Sequence, residues 1–381
     1  MKIIQKISLG CILLFTACGN PSQTKTGSKT EEKSSGSAIV ILPDNFYKKL
    51  KGKMGDDIFI TIDLIRRKDS TNKKNGLGGY YYYDKIGMPL SLYGDINDSG
   101  KFELREVDKN GENTGVFHGT FISENEIKGT WTNPKTKKQY PFSLTAEVAN
   151  NTQFDFFEFY KENCKYRDKN MKSAKKDTLS WTDTLCSSVS VSLINLAHLE
   201  NKACSKMNSY IMNTVMSLSG EKPYSSIKEL TGTVDALEDG EILDAEYATR
   251  IVSNENNVLC MSVSYWANTG GAHPNGVYFF LNFDTRTGDT ISLLDILLPE
   301  TIDELVVRAK KQFIKENGDI KKTGWFWDEG EFKMPQTFSV NKGGLLFVYQ
   351  NYEAGPYSMG MPQFFIPFKE LKDIVKPEYL K

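Results

Sequence analysis

Histidine is scarce here, with 3 in 381 residues, and so is any excess of charge, with 47 basic residues against 48 acidic. The charge balance removes the electrostatic case for nucleic acid or an anionic surface as partner. The three histidines, His118, His198 and His273, are too few and too scattered for a helical His-Glu-x-x-His zinc site. No Gly-x-Ser-x-Gly elbow, phosphate-binding glycine loop or close Cys-x-x-Cys pair is present, so no cofactor or metal is implied. Apolar runs are short: none beyond the first residues approaches the length that crosses a bilayer.

The first 18 residues, MKIIQKISLGCILLFTAC, are the exception. Lys2 and Lys6 precede a short apolar run, and Phe-Thr-Ala-Cys closes it. This is the arrangement of a signal peptide. Its last four residues resemble a bacterial lipobox, which implies cleavage before Cys18 and acylation of the Cys18 thiol. Residues 19–37 are Gly, Ser, Thr and Lys-rich and read as a flexible tether. The expected setting is the bacterial cell envelope, with the folded part lipid-anchored and facing the periplasm or the exterior. Export permits disulfides. Cys164, Cys186, Cys204 and Cys260 allow three full pairings, and spacing does not choose among them. One structural disulfide is expected.

Residues 38–148 read as an all-β domain. Apolar residues alternate at Ile58, Ile60, Ile62 and Leu64, and short strand patterns follow, separated by Asn, Asp, Ser and Gly turns. Four consecutive tyrosines, Tyr80 to Tyr83, would point alternately to both faces of a strand. Gly119 and Gly129 mark bends or close approaches. The segment 95–106 (DINDSGKFELRE) matches the spacing of a calcium loop, with Asp95, Asn97, Ser99 and Glu106 as oxygen donors, Gly100 at the turn and Glu103 at the ninth position. Both flanks alternate as strands, however, and a hairpin turn needs the same letters. The metal-free hairpin is the preferred reading.

After residues 147–152 the pattern changes to strands mixed with helices, and 152–381 reads as an α+β domain. Helical spacing spans 200–218, through Ala203, Met207, Ile211 and Val215, and recurs after Pro299 through Leu305, Ala309 and Phe313 to Asn317-Gly318. The fold class expected is therefore a small all-β meander, sandwich or barrel, followed by an α+β domain with an antiparallel sheet and two main helices.

Two turn-plus-strand stretches in this second domain stand out, 270–283 (GGAHPNGVYFFLNF) and 351–368 (NYEAGPYSMGMPQFFIPF). Their turns hold His273, Tyr352, Glu353 and Tyr357. With Trp325, from an aromatic Trp-Phe-Trp cluster, these are the candidate ligand-binding residues. His273 and Glu353 are the one pair a hydrolase could use as acid and base. Glu353 has a second reading, as an acceptor of backbone N–H groups in its turn.

The pieces Gly-Gly-Ala-His at 270–273, Asn-Phe-Asp-x-x-x-Gly at 282–288 and Tyr-Glu-x-Gly-Pro-Tyr-x-x-Gly at 352–360 resemble DUF3298, a domain of unknown function in bacterial envelope proteins. Residues 153–260 resemble DUF4163, the segment found in front of it. The pair occurs in a lysozyme-sensing anti-sigma factor and beside the catalytic domain of a peptidoglycan deacetylase. The catalytic and cytoplasmic regions of those proteins are absent from this sequence. The resemblance thus implies binding, of lysozyme or of peptidoglycan or another glycan, and transfers no activity. A non-enzymatic envelope binding module is the first expectation. A hydrolase using His273 and Glu353, and a structural or assembly lipoprotein, are the alternatives.

Overall fold

The computed structural model describes residues 40–68, 75–147, 153–166, 184–198, 200–219, 223–238, 241–320, 324–327 and 331–380. The expected signal peptide, tether and Cys18 lie outside these. Among the described residues no helix is long and apolar enough to cross a membrane.

Eight antiparallel strands form a closed barrel. They are β1 (Phe46–Met54), β2 (Ile58–Lys68), β3 (Asn75–Tyr83), β4 (Leu90–Ile96), β5 (Lys101–Val107), β6 (Asn113–Ser123), β7 (Glu126–Thr132) and β8 (Gln139–Ala146). Each pairs with the next in sequence, and β1 closes onto β8 with Leu50 opposite Ala146. The two-residue period places Phe102, Leu104 and Glu106 of β5 inside and Glu103 and Arg105 outside. Leu50, Ile60, Ile62, Leu64, Phe117, Phe142 and Leu144 fill the interior. Gly119 and Gly129 face one another across β6 and β7. A Cβ on Gly119 would lie 2.4 Å from the Phe102 ring, and one on Gly129 2.8 Å from that of Phe142. The glycines are there to admit two phenyl rings.

A five-stranded sheet follows, in the order β13-β12-β11-β10-β9. Its strands are β9 (Phe154–Tyr166), β10 (Thr184–Leu196), β11 (Asp244–Glu255), β12 (Val258–Asn268) and β13 (Asn275–Asp284). The sheet is antiparallel except that β10 and β11 run parallel. Parallel neighbours require a crossover, and the chain makes it through α1 (Lys202–Met216) and α2 (Ile227–Gly232). The second of these helices is short and runs into a 3-10 turn at Thr233–Asp235. Asn201 caps α1 by accepting from the Ala203 and Cys204 amides. β11 and β12 are joined by Asn256-Asn257 with φ of 53° and 63°, the left-handed pair that a two-residue hairpin needs and asparagine tolerates. Cys164 and Cys186 are opposite one another on β9 and β10 and form the disulfide. Cys204 and Cys260 are free thiols, and burial pushes the Cys260 thiol far up.

The remainder is α3 (Leu293–Ile296), α4 (Ile302–Asn317) and a three-stranded sheet of β14 (Thr337–Asn341), β15 (Gly344–Val348) and β16 (Gln363–Pro367). A 3-10 turn, Phe368–Glu370, follows β16. Phe313 of α4 lies at the centre of an aromatic core with Trp325, Trp327, Phe332, Tyr349 and Phe364.

Barrel and sheet meet across a buried polar seam. Lys49 Nζ is 2.8 Å from Glu255 and 3.6 Å from Asp63, and it donates to the Asn254 carbonyl at 2.8 Å. Lys51 and the Tyr82 hydroxyl also reach Glu255, at 3.0 and 2.9 Å, and the Tyr47 hydroxyl donates to Asp63 at 2.6 Å. The tyrosine run divides as its alternation requires. Tyr81 lies in the barrel core, Tyr82 turns to this seam, and Tyr80 meets Tyr278 of the sheet at 3.3 Å between hydroxyls.

Candidate functional site

The loop between β12 and β13 and the loop between β15 and β16 come together. In the first, Gly270 adopts φ 80° and its amide donates to Asn268 Oδ1 at 3.0 Å. Proline follows His273 and holds the backbone, and His273 Nδ1 lies 3.0 Å from the Pro274 carbonyl. A carbonyl can only accept, so Nδ1 carries the proton and Nε2 of the neutral ring is an acceptor. The Tyr352 hydroxyl donates to Nε2 at 2.9 Å. Tyr357 stacks on the imidazole, with centroids 3.9 Å apart and planes inclined by 17°. Tyr352 and Tyr357 are 5.7 Å apart between ring centres.

The second loop is strained to make this contact. Tyr352 sits at φ 66°, a left-handed conformation that costs a bulky residue on the order of 1–3 kcal/mol. Glu353 holds it there: its carboxylate accepts from the Gln350 amide at 2.7 Å and the Gln336 amide at 3.0 Å. That is the backbone-anchoring reading. No contact joins Glu353 to His273 among the described residues, and both oxygens of Glu353 have donors already. The pair a hydrolase would need is thus not assembled.

Gln350 was not legible as a site residue, yet it docks the two loops. Its Oε1 accepts from the Tyr278 amide at 2.9 Å, and its Nε2 donates to the Tyr278 carbonyl. It pairs with the free edge of β13 as another strand would. A lone glutamine carries no signal for this in the sequence. Trp325 is packed rather than presented: it stacks on Trp327 at 5.7 Å and meets the Phe313 ring edge-on. Its neighbour Phe326, 57% exposed, is the outward residue, and its amide donates to Ala354 in the second loop.

The other candidates are dispersed. Asn97 directs its side-chain oxygen to the Ser99 amide and hydroxyl and the Lys101 amide, which closes a hairpin turn. Asp95 and Glu103 are cross-strand neighbours on the outer face of that hairpin. Glu106 is buried inside the barrel, accepting from Tyr81, from Thr114 at 2.6 Å and from Trp131 at 3.0 Å. The calcium-loop reading of Asp95, Asn97, Ser99 and Glu106 fails on this geometry, because Glu106 points into the barrel and Asn97 is committed to the turn. His118 and His198 are exposed beside Glu103 and Glu200, at 3.3 and 3.1 Å.

Residues 294–369, from α3 through β16, match the family model described as "Protein of unknown function (DUF3298)". Trp325, Tyr352, Glu353 and Tyr357 fall inside the matched segment and His273 outside it. The chain is similar to the crystal structure of a DUF3298 family protein from Pseudomonas aeruginosa PAO1, with 19% identity and a TM-score of 0.45, over 59% of this chain and 96% of that one. A member of the same family from Bacteroides fragilis NCTC 9343 gives 18% identity and a TM-score of 0.46, over 60% and 96%. Neither likeness speaks to ligand or activity. No curated protein matches the sequence.

Proposed function

We propose that the chain is a non-enzymatic, envelope-anchored recognition protein, and that its binding surface is the aromatic face of His273, Tyr352 and Tyr357. The observation that carries this is the stack of His273 on Tyr357, pinned by the Tyr352 hydroxyl, with Tyr352 still 51% exposed. Rigid rings that keep a polar tip in water suit a partner with both apolar faces and hydroxyl groups. A glycan and a protein surface both have that chemistry. An animal-type lysozyme and peptidoglycan fragments are the first partners to test, on the strength of the family resemblance. The Cys164–Cys186 disulfide supports an oxidising compartment, as the reading of Cys18 as an acylated membrane anchor requires.

An assembly role rests on a different observation. Phe157, Phe159 and Tyr160 of the edge strand β9 are exposed, and such strands offer docking surfaces.

The test is calorimetric titration of the protein with lysozyme and with soluble peptidoglycan fragments, following muramidase activity in parallel. Saturable binding that Tyr352→Ala and Tyr357→Ala each weaken at least tenfold, with thermal stability kept, supports the reading. Binding unchanged in both variants moves the surface elsewhere. A flat titration with both probes removes both partners.

A further inference from the structure

We propose that the cleft between the barrel and the five-stranded sheet binds a small organic carboxylate, with Arg250 as its anchor. The cleft has a volume of about 330 Å³ and is lined chiefly by Arg67, Gly76, Gly78, Tyr93, Ser192 and Arg250. This size is at the lower end of small-ligand pockets, and a junction between two packed units is where they commonly form.

Its shape follows from alternation. Leu77 of β3 points into the barrel core, so Gly76 and Gly78 face outward. They leave the outer surface of β3 bare, and the missing side chains are the hollow. Tyr93 of β4, 46% exposed, forms one wall. β10 and β11 supply the facing wall through Ser192 and Arg250.

Charge in the cleft is unevenly matched. Arg67 donates to Glu158 at 3.2 Å and to the Thr249 carbonyl at 2.9 Å. Ser192 donates to the same Glu158 oxygen at 2.8 Å. Arg250 has no such provision: among the described residues its guanidinium has neither an acidic partner nor a hydrogen-bond acceptor, and its contact is the Tyr93 ring, 5.6 Å from the centroid. Glu246, exposed on β11, lies outside the lining. Burial, and further the charge of Arg250, pull Arg67 down to about 10 although Glu158 opposes them. An anion seated against Arg250 would relieve that repulsion.

The form of the anion follows from what the floor lacks. The backbone of β3 is paired on both sides, with β2 and β4, so this strand offers no cluster of free amides of the kind that cradles phosphate. One planar guanidinium, an aromatic wall and a bare glycine floor suit a carboxylate carried on a flat or ring-shaped body. The site is separate from the loop surface of His273 and Tyr357, and neither assignment rests on the other.

The experiment is calorimetric titration of the full chain with sodium benzoate and sodium glucuronate, with benzamide and glucose as their neutral counterparts. Saturation by at least one acid and by neither neutral compound is expected, and which acid binds separates an aromatic from a sugar body. Arg250→Gln should weaken binding at least tenfold. Gly76→Val should abolish it by filling the hollow with Arg250 intact. An added Cβ at Gly76 meets only the Arg67 carbonyl, at 3.4 Å, so circular dichroism and Tm should be retained. The proposal is overturned if neither acid saturates, if the neutral compounds bind equally, or if both variants bind as the parent does.

Discussion

The barrel and the C-terminal half must both deal with strand edges, and they do so differently. In the barrel β1 pairs with β8 and no edge remains. In the second half every sheet has edges, and side chains cover most of them. Thr337 accepts from the Phe280 amide at 2.8 Å and Gln350 takes both polar groups of Tyr278, which occupies the rim of β13. Asn282 accepts from the Val340 amide and donates to the Phe338 carbonyl, each at 2.9 Å, so β13 and β14 are pegged without a ladder between them. From α4, Asn317 donates to the Gln363 carbonyl at 3.0 Å and Glu316 accepts from the Phe365 amide at 3.1 Å, which closes β16. β9 keeps its edge, with Lys161 and Lys165 along it. Closure needs only regular alternation and eight strands of suitable length. Pegging needs particular polar side chains from distant parts of the chain, and it leaves loops such as 268–275 and 351–360 free to form a surface.

The seam joining the halves is where this contrast is tested hardest. Lys49→Met should cost about 3–5 kcal/mol in chemical unfolding, since it leaves the fully buried Asp63 without a cation and Glu255 with Lys51 alone. A loss below about 1 kcal/mol would mean that apolar packing alone joins barrel and sheet. Acid provides a second probe of the same seam. Burial would raise the Glu255 carboxyl, but the Lys49 charge and hydrogen bonds from Lys49, Lys51 and Tyr82 hold it down at about 2. A depressed carboxylate contributes stability above its unfolded pKa, about 4.3, and that contribution disappears as the pH falls toward 2. Asp63, raised by burial against the pull of Lys49, acts in the opposite sense. Stability of the parent should therefore fall more steeply between pH 5 and pH 2 than that of Glu255→Gln, on the order of tenfold in the unfolding constant per pH unit at the steepest. Parallel curves would remove Glu255 from the account.

Next in size is the disulfide at the open edge. Replacing both Cys164 and Cys186 with Ser frees a loop with a sequence separation of 22, and should cost about 3 kcal/mol. Hydrogen exchange should then rise first in β9 and β10, whereas uniform loosening of the sheet would show that the edge depends on more than the crosslink. Asn282→Ala, which leaves the Val340 amide and the Phe338 carbonyl without their peg, should cost about 2 kcal/mol. The smallest effect belongs to the barrel, whose ladder does not depend on any one side chain. Asn97→Ala should cost about 1 kcal/mol, and calcium should not change the Tm of the parent. A calcium-dependent rise would restore the loop reading of 95–106.

What the sequence determined by itself is the part fixed by neighbours. Alternation over two residues sets which face of each barrel strand is apolar, and Asn97 and Asn256-Asn257 set the turns. Spacing of 3.6 residues marks α1 and α4, and the Gly, Pro and Asn of 270–276 force the turn that holds His273. These choices are made by φ and ψ preferences and by water, which act within a few residues. Tertiary structure alone decided which distant groups meet. It closed β1 on β8, ran β11 parallel to β10, chose Cys164 and Cys186 among the pairings, turned Glu353 onto two amides instead of His273, and left Arg250 without a counter-ion among the described residues. Periodicity cannot express such pairings, because each follows from the single way these faces and edges pack together with their polar groups satisfied.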